Sequence, residues 1–399
     1  MDGYDYLIVG AGFSGAVLAE RLASQLGKTS LVVDRRNHVA GNAYDFHDDA
    51  GLLVHKYGPH YFRTNSDEVI NYLSQFTEWH PVHYHILSWT HGDYWPFPIN
   101  LNTFEKLIGK NASPAIMAQT LAEWRHDIPS PKNSKEVVLS QVGTRLYEMF
   151  FENYTRKHWK RDPSELDPSV CGRIPVRTNR DDRYLSDKFQ AMPTEGYTAM
   201  FEKMLATPGV TVALNTDYRE AKADIRHKHL IYTGMIDEYF DYTHGDLPYR
   251  SLHFVPETHD VEFYQPTVQV NYPNDHDYTR IVEIKHVTGQ QHAKTSIVKE
   301  YPQDFERGRE AYYPIPAPDA RERYQKYRQL AKTEPISLFL GRLATYRYYN
   351  MDQVVATALT AFQAIAEKDP TSTTPDLANP ESCPDSRRTG ATREHTAHH

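Results

Sequence analysis

The chain is poor in cysteine. Cys171 and Cys383 are its only two, far apart in sequence, so neither a disulfide framework nor a CxxC metal or redox motif can be read. A reducing compartment follows from that scarcity. No apolar run reaches membrane-spanning length, and the first strand follows Met1 too closely for a signal peptide to precede it. A soluble, cytoplasmic protein without membrane insertion is therefore expected. Positive charge is also in deficit: the net charge of -8 offers no general attraction to nucleic acid or anionic lipid. Any anion site must be built locally from a few arginines. What the chain has in surplus is 28 tyrosines and 21 histidines, which in 399 residues of otherwise ordinary composition suggest a polar, aromatic-lined pocket.

The opening segment reads as the first βαβ of a doubly wound α/β fold: an apolar strand Tyr6 to Val9, a helix Gly12 to Leu26 and a strand Leu31 to Val33. From Asn100 to Lys160 the periodicity becomes helical and glycine is scarce, as in an inserted helical domain. Residues 161 to 196 mix Pro, Gly, Arg and Asp, which suits a mobile segment. Strand-like stretches from Thr267 to Tyr272 and Ile281 to His286 imply a sheet-built substrate domain, and a last helix should run from Met351 to Glu367. Beyond Asp369 the composition is that of a disordered tail. No internal repeat is present.

Between the first strand and helix lies Gly10-Ala11-Gly12-Phe13-Ser14-Gly15, with Asp34 ending the second strand. The first glycine permits the tight turn, the second the approach of a pyrophosphate to the helix N-terminus, and the third close helix–strand packing. Asp34 is placed to accept from a ribose. Arg35 and the turn Gly41-Asn42 extend the second strand in the manner of FAD rather than NAD proteins. A distant second segment runs from Gly341 and Arg342 through Tyr348 and Asn350 to Met351, and it offers another helix N-terminus to the flavin side.

GAGFSGAVLAERLA at the start, YGPHYFRTNS from Tyr57, PFPINL from Pro96, FFENYTRKHW from Phe150, RIPVR from Arg173, YYPIP from Tyr312 and GRLATYRYYNMD from Gly341 together resemble the bacterial UDP-galactopyranose mutases, in order, over roughly residues 3 to 366. The resemblance implies a Rossmann-like FAD-binding domain (1–78, 194–238 and 312–368), an inserted helical domain (100–172), a twisted antiparallel β-sheet domain (79–99, 173–193 and 239–311) and a tail (369–399). It further implies interconversion of UDP-galactopyranose and UDP-galactofuranose without net redox change. Reduced FAD would attack the anomeric carbon through N5, carry the sugar as an iminium during ring contraction, and release it on the return of UDP. A homo-oligomer is compatible with the family.

The same resemblance assigns the site. Arg173 and Arg280 would clamp the diphosphate, and Tyr184, Tyr313 and Tyr348 would donate to it. Phe150, Tyr154, Thr155 and Trp159 would receive the uracil, Asn271 would touch the sugar, and His60 would lie beside the flavin. Without the family, either arginine reads as a solvated charge, and the aromatics read equally as helix packing or as a face on which a base could stack. His80, His83, His85 and His91 invite a metal reading, but no carboxylate or cysteine motif joins them, so no metal is expected. Two residues depart from the family pattern: Asn350 where an aspartate is usual, and Arg63 where a histidine is usual. The rivals are a flavin oxidoreductase of the amine-oxidase or protoporphyrinogen-oxidase type, which shares the FAD fold, and a nucleotide-binding sensor without turnover.

Overall fold

The computed structural model describes residues 3–368, so the expected tail, with Cys383, lies outside the described residues. The strand Tyr4–Val9 is largely buried and lies at the centre of a five-stranded sheet. Across that sheet the order is Val210–Ala213, Ser30–Val33, Tyr4–Val9, His227–Tyr232 and Ser337–Phe339, with every neighbour parallel. Strands buried on both faces need continuous apolar character, and Leu7, Ile8, Val32 and Val33 supply it. The helix Phe13–Leu26 covers one face and packs along the last helix, Met351–Ala366. It stops at Gly27, whose left-handed backbone turns its N–H onto the Ala23 carbonyl at 3.1 Å.

The region read as helical contains Leu101–Ile108, Pro114–Trp124, Ser134–Phe150 and Glu152–Trp159. Asn100, Ser113 and Asn133 cap the first three by accepting otherwise unpartnered amides of the opening turn. Gly143, at φ 74°, kinks the third. The segment between 161 and 196 contains the short helical turns Pro163–Glu165 and Ser169–Gly172 and the strand Phe189–Pro193.

A second sheet has seven strands in the order Tyr313–Pro314, Tyr249–His259, Thr295–Asp304, Arg280–Val282, Gln269–Asn271, Ile86–Thr90 and Asp93–Phe97. It is antiparallel except where Gln269–Asn271 runs parallel to Ile86–Thr90. Trp79–Pro81 and Phe189–Pro193 do not join it; they pair with each other and, through the latter, with Phe62–Thr64. The strand expected over Ile281 to His286 is shorter than its apolar pattern: it starts at Arg280, ends at Val282 and gives way to a turn at Lys285–Thr288. The buried Glu283 ends that ladder by accepting from the Tyr264 and Gln265 amides and the Thr295 hydroxyl. Arg280 is the first residue of that strand.

Candidate active site

Gly10 lies at φ 107°, and a Cβ there would meet the Thr233 hydroxyl at 2.1 Å. Gly15 is held as tightly, since a Cβ on it would come within 1.9 Å of the Gly10 carbonyl oxygen. Only glycine lets helix and strand approach this closely. Gly10 and Gly12 line a cleft of about 180 Å³ together with Asp34, Arg35, Gly41 and Asn42. Phe13, Ser14, Gly15 and Gly341 line neither this cleft nor the larger cavity below. Phe13 packs on Phe201 (4.7 Å between ring centroids), Ser14 is buried, and a Cβ on Gly341 would meet its hydroxyl oxygen at 2.8 Å. The Asp34 carboxylate ties the loop together, accepting the Ala11 amide at Oδ2 and the Arg36 amide at Oδ1, both at 2.9 Å. Each oxygen keeps a lone pair for a ribose hydroxyl. Arg35 turns to Glu238, a residue the sequence did not single out, at 2.8 Å.

Asn42 belongs to both spaces, lining this cleft and a cavity of about 390 Å³ between the two large sheets and the helical region. Its side chain is fixed by Arg36, which donates to its Oδ1 at 3.0 Å and pairs with Glu310 at 2.6 Å. All the expected substrate residues line the larger cavity: Phe150, Tyr154, Thr155 and Trp159 from the helical region, Arg173 and Tyr184 from the segment after it, Asn271 and Arg280 from neighbouring strands, and Tyr313 and Tyr348. His60, Arg342, Asn350 and Met351 line it as well. Residues more than a hundred positions apart thus surround one space that opens toward the glycine loop.

Three arginines set its electrostatics. Arg173 stands 5.0 Å over the Tyr348 ring, and Arg342 approaches the same ring at 5.5 Å. Burial acts to raise the Tyr348 phenol, but the cations of Arg173, Arg342 and Arg280 outweigh it and hold it below its ordinary range. Arg280 pairs with the buried Glu300 on the adjacent strand, 2.6 Å away. Elsewhere in the cavity burial pushes the Tyr84, Tyr154 and Tyr313 phenols up, so they remain neutral donors.

Several expected contacts are engaged in packing as well. Phe150 lies against Phe97 at 5.9 Å, and Trp159 against Tyr313 at 5.5 Å. The Thr155 hydroxyl is 3.6 Å from the sulfur of Cys171, a buried free thiol. Asn271 accepts from Gln269, which accepts in turn from Tyr84, each at 2.8 Å. At His60, Nδ1 donates to the Gly58 carbonyl at 3.0 Å, which leaves Nε2 as an acceptor, and burial pushes the ring down to about 3.

The two departures have local partners. The Asn350 amide N–H donates to Gln353 Oε1 at 2.9 Å, starting the last helix, while Arg63 pairs with Asp187 at 2.8 Å. Sequence reading passed over Glu300, Tyr84, Gln269 and His158, because each gains its meaning from a partner on another element. The His158 imidazole lies within 2.7 Å of the Tyr313 hydroxyl. Only strand register or a packed cavity could reveal them.

The fold and the adjoining clefts are those of an α/β dinucleotide-binding enzyme whose larger cavity is lined by arginines. A family described as UDP-galactopyranose mutase matches residues 149–348, and a NAD(P)-binding Rossmann-like domain matches residues 8–76. The chain is 38% identical to a probable UDP-galactopyranose mutase of Klebsiella pneumoniae over 90% of this chain and 94% of that protein. It is 34% identical to a dTDP-fucopyranose mutase of Escherichia coli over 90% of this chain and 97% of that one. A crystal structure of reduced UDP-galactopyranose mutase superposes with a TM-score of 0.70 at 16% identity, covering 91% of this chain and 96% of the other. The chain belongs to the UDP-galactopyranose mutase family and is an isomerase.

Proposed function

We propose that the chain interconverts UDP-galactopyranose and UDP-galactofuranose and is active with reduced FAD. The observation that carries this reading is the convergence of Arg173, Arg280 and Tyr348 on one cavity that meets the dinucleotide cleft at Asn42. The cofactor fits the residues present. Gly10, Gly12 and Gly41 leave backbone room for a pyrophosphate, Asp34 retains acceptors for a ribose, and His60, Arg342 and Met351 border the cavity where the isoalloxazine would enter it. When bound and reduced, FAD supplies the nucleophile that displaces UDP from the anomeric carbon.

The protein's part is to hold the leaving diphosphate close enough to return. Arg173 and Arg280 offer charge-assisted donors from separate elements, and the hydroxyls of Tyr184 and Tyr313 add further donors beside Tyr348. Phe150, Tyr154, Thr155 and Trp159 border the uracil end, and Asn271 lies toward the sugar. Glu300 keeps Arg280 in place, and the buried aromatics exclude water from the reacting carbon.

The test is an assay of UDP-galactofuranose conversion with and without dithionite, alongside dTDP-fucopyranose. Turnover of the UDP sugar only after reduction is expected. Equal turnover with fully oxidised FAD would overturn the cofactor's role, preference for the dTDP sugar would reassign the substrate, and binding of UDP without turnover would leave a sensor.

A further inference from the structure

His158, on the helix Glu152–Trp159, is buried directly behind the phenol of Tyr313. Its Nε2 lies 2.7 Å from the Tyr313 hydroxyl oxygen. Its Nδ1 has no partner and faces Glu300 Oε1 at 3.8 Å, an oxygen that also has none. The other Glu300 oxygen accepts from Arg280 and pairs with its guanidinium at 2.6 Å. A proton on Nδ1 is the arrangement that suits both unpartnered atoms. In a neutral imidazole, Nε2 is then a lone pair, and the Tyr313 hydroxyl must give its hydrogen to His158. The phenol oxygen turns only lone pairs toward the cavity, which is the wrong polarity for meeting a phosphate.

We propose that His158 is a positioning residue that takes up one proton from solvent when a nucleotide diphosphate enters the cavity. Nδ1–H then faces the Glu300 carboxylate across 3.8 Å as an ion pair, Nε2–H donates to the Tyr313 oxygen, and the Tyr313 hydroxyl is released to donate to a phosphate oxygen. The inference rests on the proposed diphosphate reading of the site and deepens it.

The charges around the ring favour such a change. Burial, and then the cations of Arg280, Arg250 and Arg173, hold the imidazole well below its usual range. Arg250 approaches from the strand behind, its Nε donating to the His158 carbonyl at 2.8 Å. Glu300 is the carboxylate that faces the ring, and on its own helix the Tyr154 ring stacks on it at 5.8 Å, its phenol kept neutral by burial. A diphosphate held by Arg173 and Arg280 cancels two of the three opposing cations and adds negative charge beyond Tyr313, which favours the imidazolium.

The experiment is calorimetric titration of the oxidised, FAD-loaded protein with UDP-galactose, whose diphosphate diester does not itself titrate near neutrality. Buffers of different ionisation enthalpy count the protons exchanged. Below about pH 7, proton uptake approaching one per ligand and a fall in affinity of up to about tenfold per pH unit are expected. His158→Gln supplies amide donors that cannot titrate, so its affinity should not change with pH, whereas a purely structural role would leave the slope in place. An unchanged slope in that variant, or no proton uptake by the parent, overturns the proposal. If His158→Gln fails to retain FAD, Tyr313→Phe serves instead: uptake should vanish with the hydroxyl, and its persistence overturns the idea. Binding without proton uptake refutes only this inference, whereas absence of UDP-galactose binding at every pH refutes the diphosphate reading beneath it.

Discussion

Arg280 and Glu300 face each other across neighbouring antiparallel strands, their guanidinium and carboxylate 2.6 Å apart. The carboxylate is almost wholly buried, so removing the arginine strands a charge that water cannot reach. Arg280→Ala should therefore abolish most turnover and also cost about 3–5 kcal/mol of folding stability. Arg173→Ala should lower turnover as strongly with a much smaller change in Tm. Flavin absorbance after gel filtration checks that FAD stays bound in both; its loss from the Arg173 variant would make that residue a cofactor contact.

The Tyr348 phenol should ionise earlier than an ordinary tyrosine, because the cations of Arg173 and Arg342 outweigh the opposing effect of burial. Ultraviolet difference titration against Tyr348→Phe isolates this one group. In Arg173→Ala its transition should move to higher pH. An unmoved transition would mean that Arg173 does not act on this ring.

Acid should destabilise the protein through the buried His55 and the half-buried His60. Burial pushes both His55 and His60 down to about 3, whereas in the unfolded chain each takes up a proton below its ordinary value of 6.5. The unfolded state then binds more protons, so stability is complete above pH 6.5 and is lost as the pH falls toward 3. The slope is about 1.4 kcal/mol per pH unit for each ring. Urea midpoints measured across this range should follow it, and His55→Asn should flatten it.

Gly15→Ala should prevent stable FAD binding, because its new methyl would meet the Gly10 carbonyl at 1.9 Å and Ile8 Cγ2 at 3.1 Å. The helix must move off the strand, and the loop that it opens moves with it. Copurification of the variant with a full complement of flavin would show that the contact can relax.

Trp159→Ala should weaken UDP binding by about 1–2 kcal/mol, a factor of about 5–30, since the indole also supports the rings of Tyr313 and Tyr348. Unchanged UDP affinity, measured by calorimetry, would remove it from the nucleotide site.

The sequence by itself determined the dinucleotide loop and the broad succession of elements around it. Gly10 to Gly15 sits between a strand and a helix that adjoin it in the chain, so strand, loop and helix are legible in one short stretch. The helical character of residues 100 to 160, and the last helix from Met351, were legible because helical periodicity is local; the division of the former into four capped helices came from the structure. Motif likeness also marked the arginines and tyrosines of the cavity, without indicating what each would touch. Tertiary structure alone decided that Arg280 opens a strand opposite Glu300, that Asn42 joins two clefts, and that His158 stands between Glu300 and Tyr313. Those relations depend on strand register and on burial, which bring together groups up to 155 residues apart and deny them water. A histidine at position 158 has no distinctive local pattern; its significance comes from the buried carboxylate and phenol that the fold places on its two nitrogens.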